Sequence, residues 1–94
     1  MNGQKEKYGK YGALAKMYLE ERAPAKLWGM AGEEAEYLHG VDRAAEELSE
    51  RLYEQLSRKE EYRRTGNYVE DVRRENEMKQ IIEEEILSEL VYVD

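Results

Sequence analysis

Apolar residues recur at intervals of three and four through the middle of this chain. Such spacing puts one side chain per turn on the same face of an α-helix and is close to the heptad pattern of paired helices. It therefore predicts a long helix whose apolar face another helix must cover. The repeat consists of Ala31, Ala35, Leu38, Val41, Ala45, Leu48, Leu52 and Leu56.

Three glycines fall in the first part of this helix. Gly29, Gly32 and Gly40 each cost about 1 kcal/mol relative to alanine inside a helix. We expect a break or bend between Trp28 and Gly32, and a kink at Gly40 is a further option. Alternatively, the small residues let another helix or an aromatic ring come close.

A short first helix precedes the long one. Tyr11, Leu14 and Tyr18 lie at intervals of three and four, with Met17 beside them. Pro24 ends this helix, because the residue before a proline is disfavoured in the α conformation. The polar, Gly-rich and basic residues 1–9 are expected to form a flexible arm, and residues 10–94 a single helical domain.

A third helix is expected after residue 66. Arg63 and Arg64, followed by Gly66, have the composition of a helix C-terminus with a left-handed cap. Asn67, with Glu70 three residues later, is typical of a helix start. The third helix is predicted from Tyr68 to Tyr92.

The chain finishes on an apolar run, Ile86–Leu87 and Leu90–Val91–Tyr92–Val93, within an acidic sequence. An antiparallel hairpin of the two long helices would bring Ile86 and Leu90 level with Leu38 and Val41, and the first helix would close the third side. The predicted fold is all-α, a three-helix bundle or hairpin with a short first helix and two long antiparallel helices. The candidate core or interface residues are Leu38, Val41, Leu48, Leu52, Ile82, Ile86, Leu90 and Tyr92.

The other end of this hairpin lacks a third helix. Five side chains there are expected to stay partly exposed to solvent, and a homodimer is the simple way to cover them. They are Tyr53, Leu56, Tyr62, Tyr68 and Val69.

Composition narrows the functional classes. The 94 residues contain no Cys and carry a net charge of −7, so disulfides and thiolate metal sites are excluded and an overall attraction to phosphate backbones is not expected. No apolar stretch approaches the roughly 18 residues that cross a bilayer, and the N-terminal residues do not resemble a signal peptide. We expect a cytoplasmic protein with no membrane partner.

Residues for catalysis are sparse. Glu36 and His39 have the spacing of half a di-metal site, but they are more simply neighbours on a helix rich in glutamate. Glu83, Glu84 and Glu85 fan out around a helix instead of facing one cleft. Ser49, Ser57 and Ser88 have no histidine at contact spacing. We expect no enzyme activity and no cofactor.

Two basic segments could contact nucleic acid. The arm and first helix supply Lys5, Lys7 and Lys10, interleaved with tyrosines, and the corner between the long helices supplies Arg63, Arg64, Arg73 and Arg74. Acidic residues surround the corner, and the arm is equally suited to be a solubilising tail. Neither segment has the continuous basic face of a recognition helix, so DNA binding is possible but not favoured.

The sequence resembles the TnpV family, small proteins encoded in bacterial transposons and conjugative elements, over most of residues 8–93. The matching residues are Lys10–Tyr11–Gly12, Met17–Tyr18–Leu19–Glu20–Glu21, Pro24, Leu38, Val41–Asp42, Glu46–Glu47–Leu48, Arg51–Leu52 and the segment Glu84–Glu85–Ile86–Leu87–Ser88–Glu89–Leu90–Val91–Tyr92. The resemblance implies a small helical protein without established catalytic residues. It also implies a setting in a mobile element. An excisionase-like role in element mobility has been suggested for the family's name-giving members.

The chain departs from the family pattern where DNA contacts would be expected. Ala13, Ala15 and the single Lys16 stand in a first helix that is usually more basic, and Glu77, Lys79 and Gln80 stand where Arg and Asn are favoured. The segment from Trp28 to Gly32 also fits poorly. We therefore expect a non-enzymatic protein that self-associates and binds another element-encoded protein, with a DNA-binding accessory factor for excision or transfer as the alternative.

Overall fold

The computed structural model describes residues 7–93, and this part of the chain is helical. The helices are α1 (Lys10–Arg22), α2 (Pro24–Met30), α3 (Glu34–Ser57) and α4 (Tyr68–Ile86). A 3₁₀ turn, Glu60–Tyr62, lies between α3 and α4, and a π-helical turn, Leu87–Val91, follows α4. The predicted all-α class is confirmed. Lys5 and most of the predicted arm lie outside the described residues.

The first helix ends beside Pro24 as predicted, but its buried face is different from the predicted one. Gly12, Ala15 and Leu19 are buried, whereas Tyr11, Leu14 and Tyr18 lie beside them and are only partly covered. The reason is close packing on α3. A Cβ atom on Gly12 would lie 2.8 Å from the Leu38 carbonyl oxygen, so only small residues fit in the contact.

The expected break in the second helix is confirmed, and it separates Ala31 from the rest of the predicted apolar repeat, which lies in α3. Ala31 and Gly32 adopt positive φ angles of 44° and 96°, which end α2 before α3 begins. Glycine tolerates this left-handed conformation without steric cost. Beyond the break, α3 runs without interruption through Gly40.

The predicted end of α3 at Arg63 and Arg64 is wrong, because the helix stops at Ser57. Arg63 has an extended backbone with φ −70° and ψ 150°. The chain turns back early so that Tyr62 packs against the cluster that contains Leu56. The start of α4 is confirmed, since the Asn67 side chain accepts a 3.0 Å hydrogen bond from the Glu70 amide.

The core consists of two adjoining clusters. One contains Ala45, Leu56, Met78, Ile82 and Ile86 from α3 and α4, and the other contains Ala15, Leu38, Val41 and Val91 from α1, α3 and the π-helical turn. Tyr11 and Leu90 pack against both clusters. Ile86 and Val91 from the apolar end of the chain are therefore interior.

The π-helical turn shifts the register of the buried face by one residue. Met78, Ile82 and Ile86 repeat every four residues, and the next buried residue is Val91, five positions on. The Tyr92 amide donates to the Leu87 carbonyl oxygen at 2.7 Å, which is the i to i+5 bond of a π-bulge. A continuous α-helix to Tyr92 was predicted, and the extra residue in this turn turns Tyr92 outward.

The described part of the chain is elongated. Its radius of gyration is 16.9 Å, whereas a compact domain of this length has a value of about 12 Å. Its extents of 52 × 29 × 19 Å leave much of each helix at the surface. None of the helices in residues 7–93 combines the length and the hydrophobicity that crossing a membrane requires.

Candidate interaction site

A carboxylate from α3 caps the N-terminus of α1. Asp42 accepts hydrogen bonds of 2.8 Å from the backbone amides of Gly9 and Gly12. The α1 helix has no side-chain cap of its own, since its N-cap residue is Gly9. Asp42 therefore satisfies two amides that would otherwise lack partners, and its negative charge suits the positive end of the helix dipole.

The next two side chains join α1 to α4 through one carboxylate. The Tyr11 hydroxyl donates to Glu83 Oε1, and Lys10 Nζ lies 2.6 Å from Glu83 Oε2. The bonds from Lys10 and Tyr11 hold the pKa of Glu83 below its usual value. Burial and the bond to Glu83 raise the pKa of Tyr11 to about 12. Lys10, Tyr11 and Gly12, with Asp42 and Glu83, form what we call the α1 junction.

The sequence reasoning missed two members of the α1 junction. Glu83 was predicted only to fan out around a helix with Glu84 and Glu85, and Asp42 was given no role. A signal for Asp42 was present, because a helix that begins at glycine offers amide donors and no acceptor for them. No comparable local pattern distinguishes Glu83 from its neighbours.

Two of the candidate nucleic-acid contacts, Arg73 and Arg74, are occupied by carboxylates or carbonyls. Arg73 lies 2.5 Å from Glu70 and from Glu77. Arg74 binds Glu70 at 2.9 Å and donates to the carbonyl oxygens of Glu60 and Arg63.

The remaining basic candidates do not form one surface. Lys7, Arg63 and Arg64 are exposed, and Lys10 is held by Glu83. Glu83 lies nine residues beyond Arg74 on α4, a rise of about 14 Å. The two basic segments are therefore separated along the molecule.

The candidate core or interface residues divide by burial. Leu38, Val41, Ile82 and Ile86 are buried, and Leu48, Leu52 and Leu90 are partly buried against the two clusters. Tyr92 is 48% exposed, with its ring centroid 5.2 Å from that of Tyr18. Tyr92 is therefore outside the core of this chain.

The turn between α3 and α4 leaves an apolar face uncovered, as predicted for most of its residues. Tyr68 and Val69 are 81% and 75% exposed, and Val72 is also exposed. Leu56 was expected to stay wet, but the folding back of Tyr62 leaves it only 9% exposed. We call Tyr62, Tyr68, Val69 and Val72 the hairpin-end surface.

The loop before α4 is held in place by Asp71. Its carboxylate accepts from the Thr65 amide at 2.7 Å, from the Thr65 hydroxyl at 2.9 Å and from the Gly66 amide at 3.2 Å. These bonds lower the pKa of Asp71, the Thr65 amide having the largest effect. The hairpin-end surface therefore rests on an ordered turn.

A second open surface lies where α3 meets the C-terminal segment. A groove of about 560 Å³ is lined by the apolar residues Met30, Tyr37, Val41, Ala44, Leu90 and Val93. Gly40 also lines it, as do the charged residues Glu33, Glu36, Arg43 and Glu89. We call this the α3 groove.

Residues that were considered for metal binding or catalysis make contacts within the fold. The His39 ring lies 4.9 Å from the Tyr8 ring, centroid to centroid, instead of standing alone at the surface beside Glu36. Ser57 and Ser88 donate to the helix carbonyls of Glu54 and Glu85. Among residues 7–93, no three His, Cys, Asp or Glu side chains are grouped as a metal site requires.

Comparison with known proteins gives one relationship. No curated protein and no solved structure matches the chain. The family model described as transposon-encoded protein TnpV matches residues 1–91, which includes the α1 junction and both core clusters. The chain therefore belongs to the TnpV family of transposon-encoded proteins.

Proposed function

We propose that this chain is a non-enzymatic interaction protein of a bacterial mobile element, acting as an antiparallel helical bundle that pairs with a second copy of itself. The observation that carries the proposal is the hairpin-end surface. Its Tyr68, Val69 and Val72 side chains are exposed at the start of α4, whereas Ile82 and Ile86 near the other end of α4 are buried.

The antiparallel arrangement is supported by the order of the contacts along α3 and α4. Tyr53 donates to Glu75 at 3.1 Å, while Ala45, earlier in α3, belongs to the same cluster as Ile86, later in α4. Earlier positions on one helix therefore meet later positions on the other.

The charges around the hairpin-end surface favour a second copy as its partner. A two-fold interface brings the same patch together with itself and so requires self-complementary charge. Both signs are present here, with Arg63 and Arg64 on the loop and Glu70 and Asp71 on the first turn of α4. Two copies can pair opposite charges around an apolar centre.

The electrostatics offer little for acid–base catalysis. Such catalysis needs groups whose pKa values are moved towards neutrality. Arg74 and Arg73 lower the pKa of Glu70, and Lys10 and Tyr11 lower that of Glu83. Both carboxylates are thereby held ionised as ion-pair partners. Glu85 is the exception, since a hydrogen bond to Glu89 raises its pKa, but it lies on an exposed helix face.

The mass of the native protein as a function of concentration tests self-association. We expect a monomer–dimer equilibrium that Val69→Glu shifts strongly towards monomer, because a carboxylate would be buried against the apolar centre. Met17→Glu is the matched control, since Met17 is an exposed apolar residue on α1, and it should leave the equilibrium unchanged. A wild-type monomer at all concentrations would contradict the proposal.

Direct binding to DNA is the competing function, and Arg63 and Arg64 are the described residues that favour it. A salt titration of binding to random duplex DNA separates the two. Phosphate contacts would make the logarithm of the affinity fall linearly with the logarithm of the salt concentration, with a slope that shrinks in Arg63→Ala/Arg64→Ala. We expect no binding at low salt. A steep slope of this kind would contradict the proposal and favour direct DNA binding.

A further inference from the structure

The α3 groove contains a glycine that the fold does not require. A Cβ atom added at Gly40 would meet only Arg43 Nη2, at 3.9 Å, which is ordinary contact with a flexible side chain. The backbone there is part of the uninterrupted α3 helix, where alanine is the better helix former. Gly40 therefore weakens α3 without serving a contact inside the described chain.

What Gly40 provides is room in the groove. Gly40 and Ala44 are four residues apart on α3 and both line the groove, so neighbouring turns of the helix present almost no side chain. Small residues at this spacing allow a second helix to approach the backbone closely. Tyr37, Val41 and Leu90 supply larger apolar surface around this gap.

Most of the charged residues that line the groove are acidic. They are Glu33, Glu36 and Glu89, and Arg43 is the single basic one. A second copy would bring an equally acidic surface against this one, whereas a basic partner would be attracted.

We infer that the α3 groove binds an amphipathic helix of another protein, with a stripe of small and medium apolar residues flanked by Lys and Arg. The inference rests on the proposed interaction role but not on self-association, since the hairpin-end surface is separate. Apolar anchors in a groove with charged flanks are a common mode of helix recognition.

A designed helical peptide of about 18 residues, five turns long, serves as the probe. Its stripe carries Leu and Ala, and its flanks carry Lys and Arg. One control peptide keeps the stripe and has Glu flanks, and another keeps the basic flanks and has Gln in the stripe. Amide NMR spectra of the full chain follow binding and locate it.

We expect the basic amphipathic peptide to shift the amide signals of Gly40, Val41, Ala44 and Leu90, and both control peptides to bind at least about tenfold more weakly, or about 1.4 kcal/mol. Equal binding of the Glu-flanked peptide, or shifts confined to the hairpin-end surface, would overturn the inference. So would groove shifts that grow with protein concentration alone, because they would mean that the occupant is a second copy.

Two variants distinguish peptide binding in the groove from non-specific attraction between charges. Gly40→Leu should fill the gap and weaken peptide binding at least about tenfold, while the melting temperature does not fall. Gly29→Leu is the matched control, since a Cβ at Gly29 meets nothing within 4 Å and Gly29 does not line the groove. Unchanged binding in Gly40→Leu would refute the inference even if Val69→Glu abolished self-association.

Discussion

At Gly12, helix packing and helix capping depend on the same missing side chain. Its amide donates to Asp42, and its Cα faces the Leu38 carbonyl. A methyl group there would press on the α3 backbone and on the carboxylate that caps α1. This explains physically why Gly12 stands between Tyr11 and the rest of α1, a position where its low helix propensity is otherwise a disadvantage.

Replacing Gly12 with alanine is therefore expected to destabilise the protein by about 1–3 kcal/mol, as overpacking does. Gly29→Ala tests the opposite case, because open space surrounds Gly29 in α2. That change should be neutral or stabilise by up to about 1 kcal/mol. Chemical denaturation of both variants measures the difference. A Gly12→Ala protein as stable as wild type would mean that α1 does not lie against α3.

The pKa of Glu83 reports whether Lys10 and Tyr11 bind its carboxylate. Carbon-13 NMR should give a pKa below that of an ordinary glutamate, rising towards the ordinary value in Lys10→Met and, to a smaller extent, in Tyr11→Phe. The pKa of Glu70, lowered by Arg74 and Arg73, should stay the same in both variants. An ordinary Glu83 pKa in wild type would contradict the α1 junction.

The same shift predicts how stability depends on pH. Because the folded pKa of Glu83 is depressed, its contribution is fully present above the unfolded glutamate pKa and is lost as pH falls through the folded value. Lys10→Met should therefore reduce the melting temperature at pH 7 more than at pH 3. An equal reduction at both values would show that Lys10 acts through packing alone.

At the scale of residues, the sequence predicted hydrogen bonds between residues close in the chain but not those between distant residues. Asn67 was predicted as the cap of α4 because its acceptor lies within the same turn as its donor, the Glu70 amide. Asp42 reaches back 30 residues to Gly12, and Glu83 reaches back 72 residues to Tyr11. Such partners become visible only when the helices are placed together.

Among the helices, α4 shows which features the spacing of apolar residues can predict and which it cannot. Ile82 and Ile86 were predicted as core or interface residues, and both lie on the buried face. The spacing could not predict the extra residue in the π-helical turn, because Leu90 and Val91 are both apolar and both registers look acceptable in sequence. Similarly, apolar spacing marked the face of α3 but not its end at Ser57, which depends on Tyr62 folding back onto the core.

The buried face of α4 can be tested by comparing two isoleucines. Ile86 is fully buried, whereas Ile81 is 38% exposed. Ile86→Ala is expected to lower the free energy of unfolding by about 2–5 kcal/mol, and Ile81→Ala by much less, because its site is already partly solvated. Equilibrium denaturation in urea measures both. Equal losses would mean that the faces of α4 are assigned incorrectly.

At the scale of the whole molecule, part of the apolar surface is buried in the core and part remains exposed to solvent. Val91 in the C-terminal run packs against residues of α1 and α3, whereas the hairpin-end surface and the α3 groove stay open. Composition and periodicity predicted that the hairpin would be thin near its turn. They did not predict the α3 groove, which depends on the separation of α2 from α3 and on the π-helical turn.

Hydrogen exchange of the full chain at low and high protein concentration tests this division most directly. Amides from Ile82 to Val91 should be strongly protected at both concentrations, because they lie in the packed end of the molecule. Protection around Val72 should be weak in dilute protein and increase when copies pair. Rapid exchange from Ile82 to Val91 at both concentrations would contradict the division, since the apolar end of the chain would then be open to water.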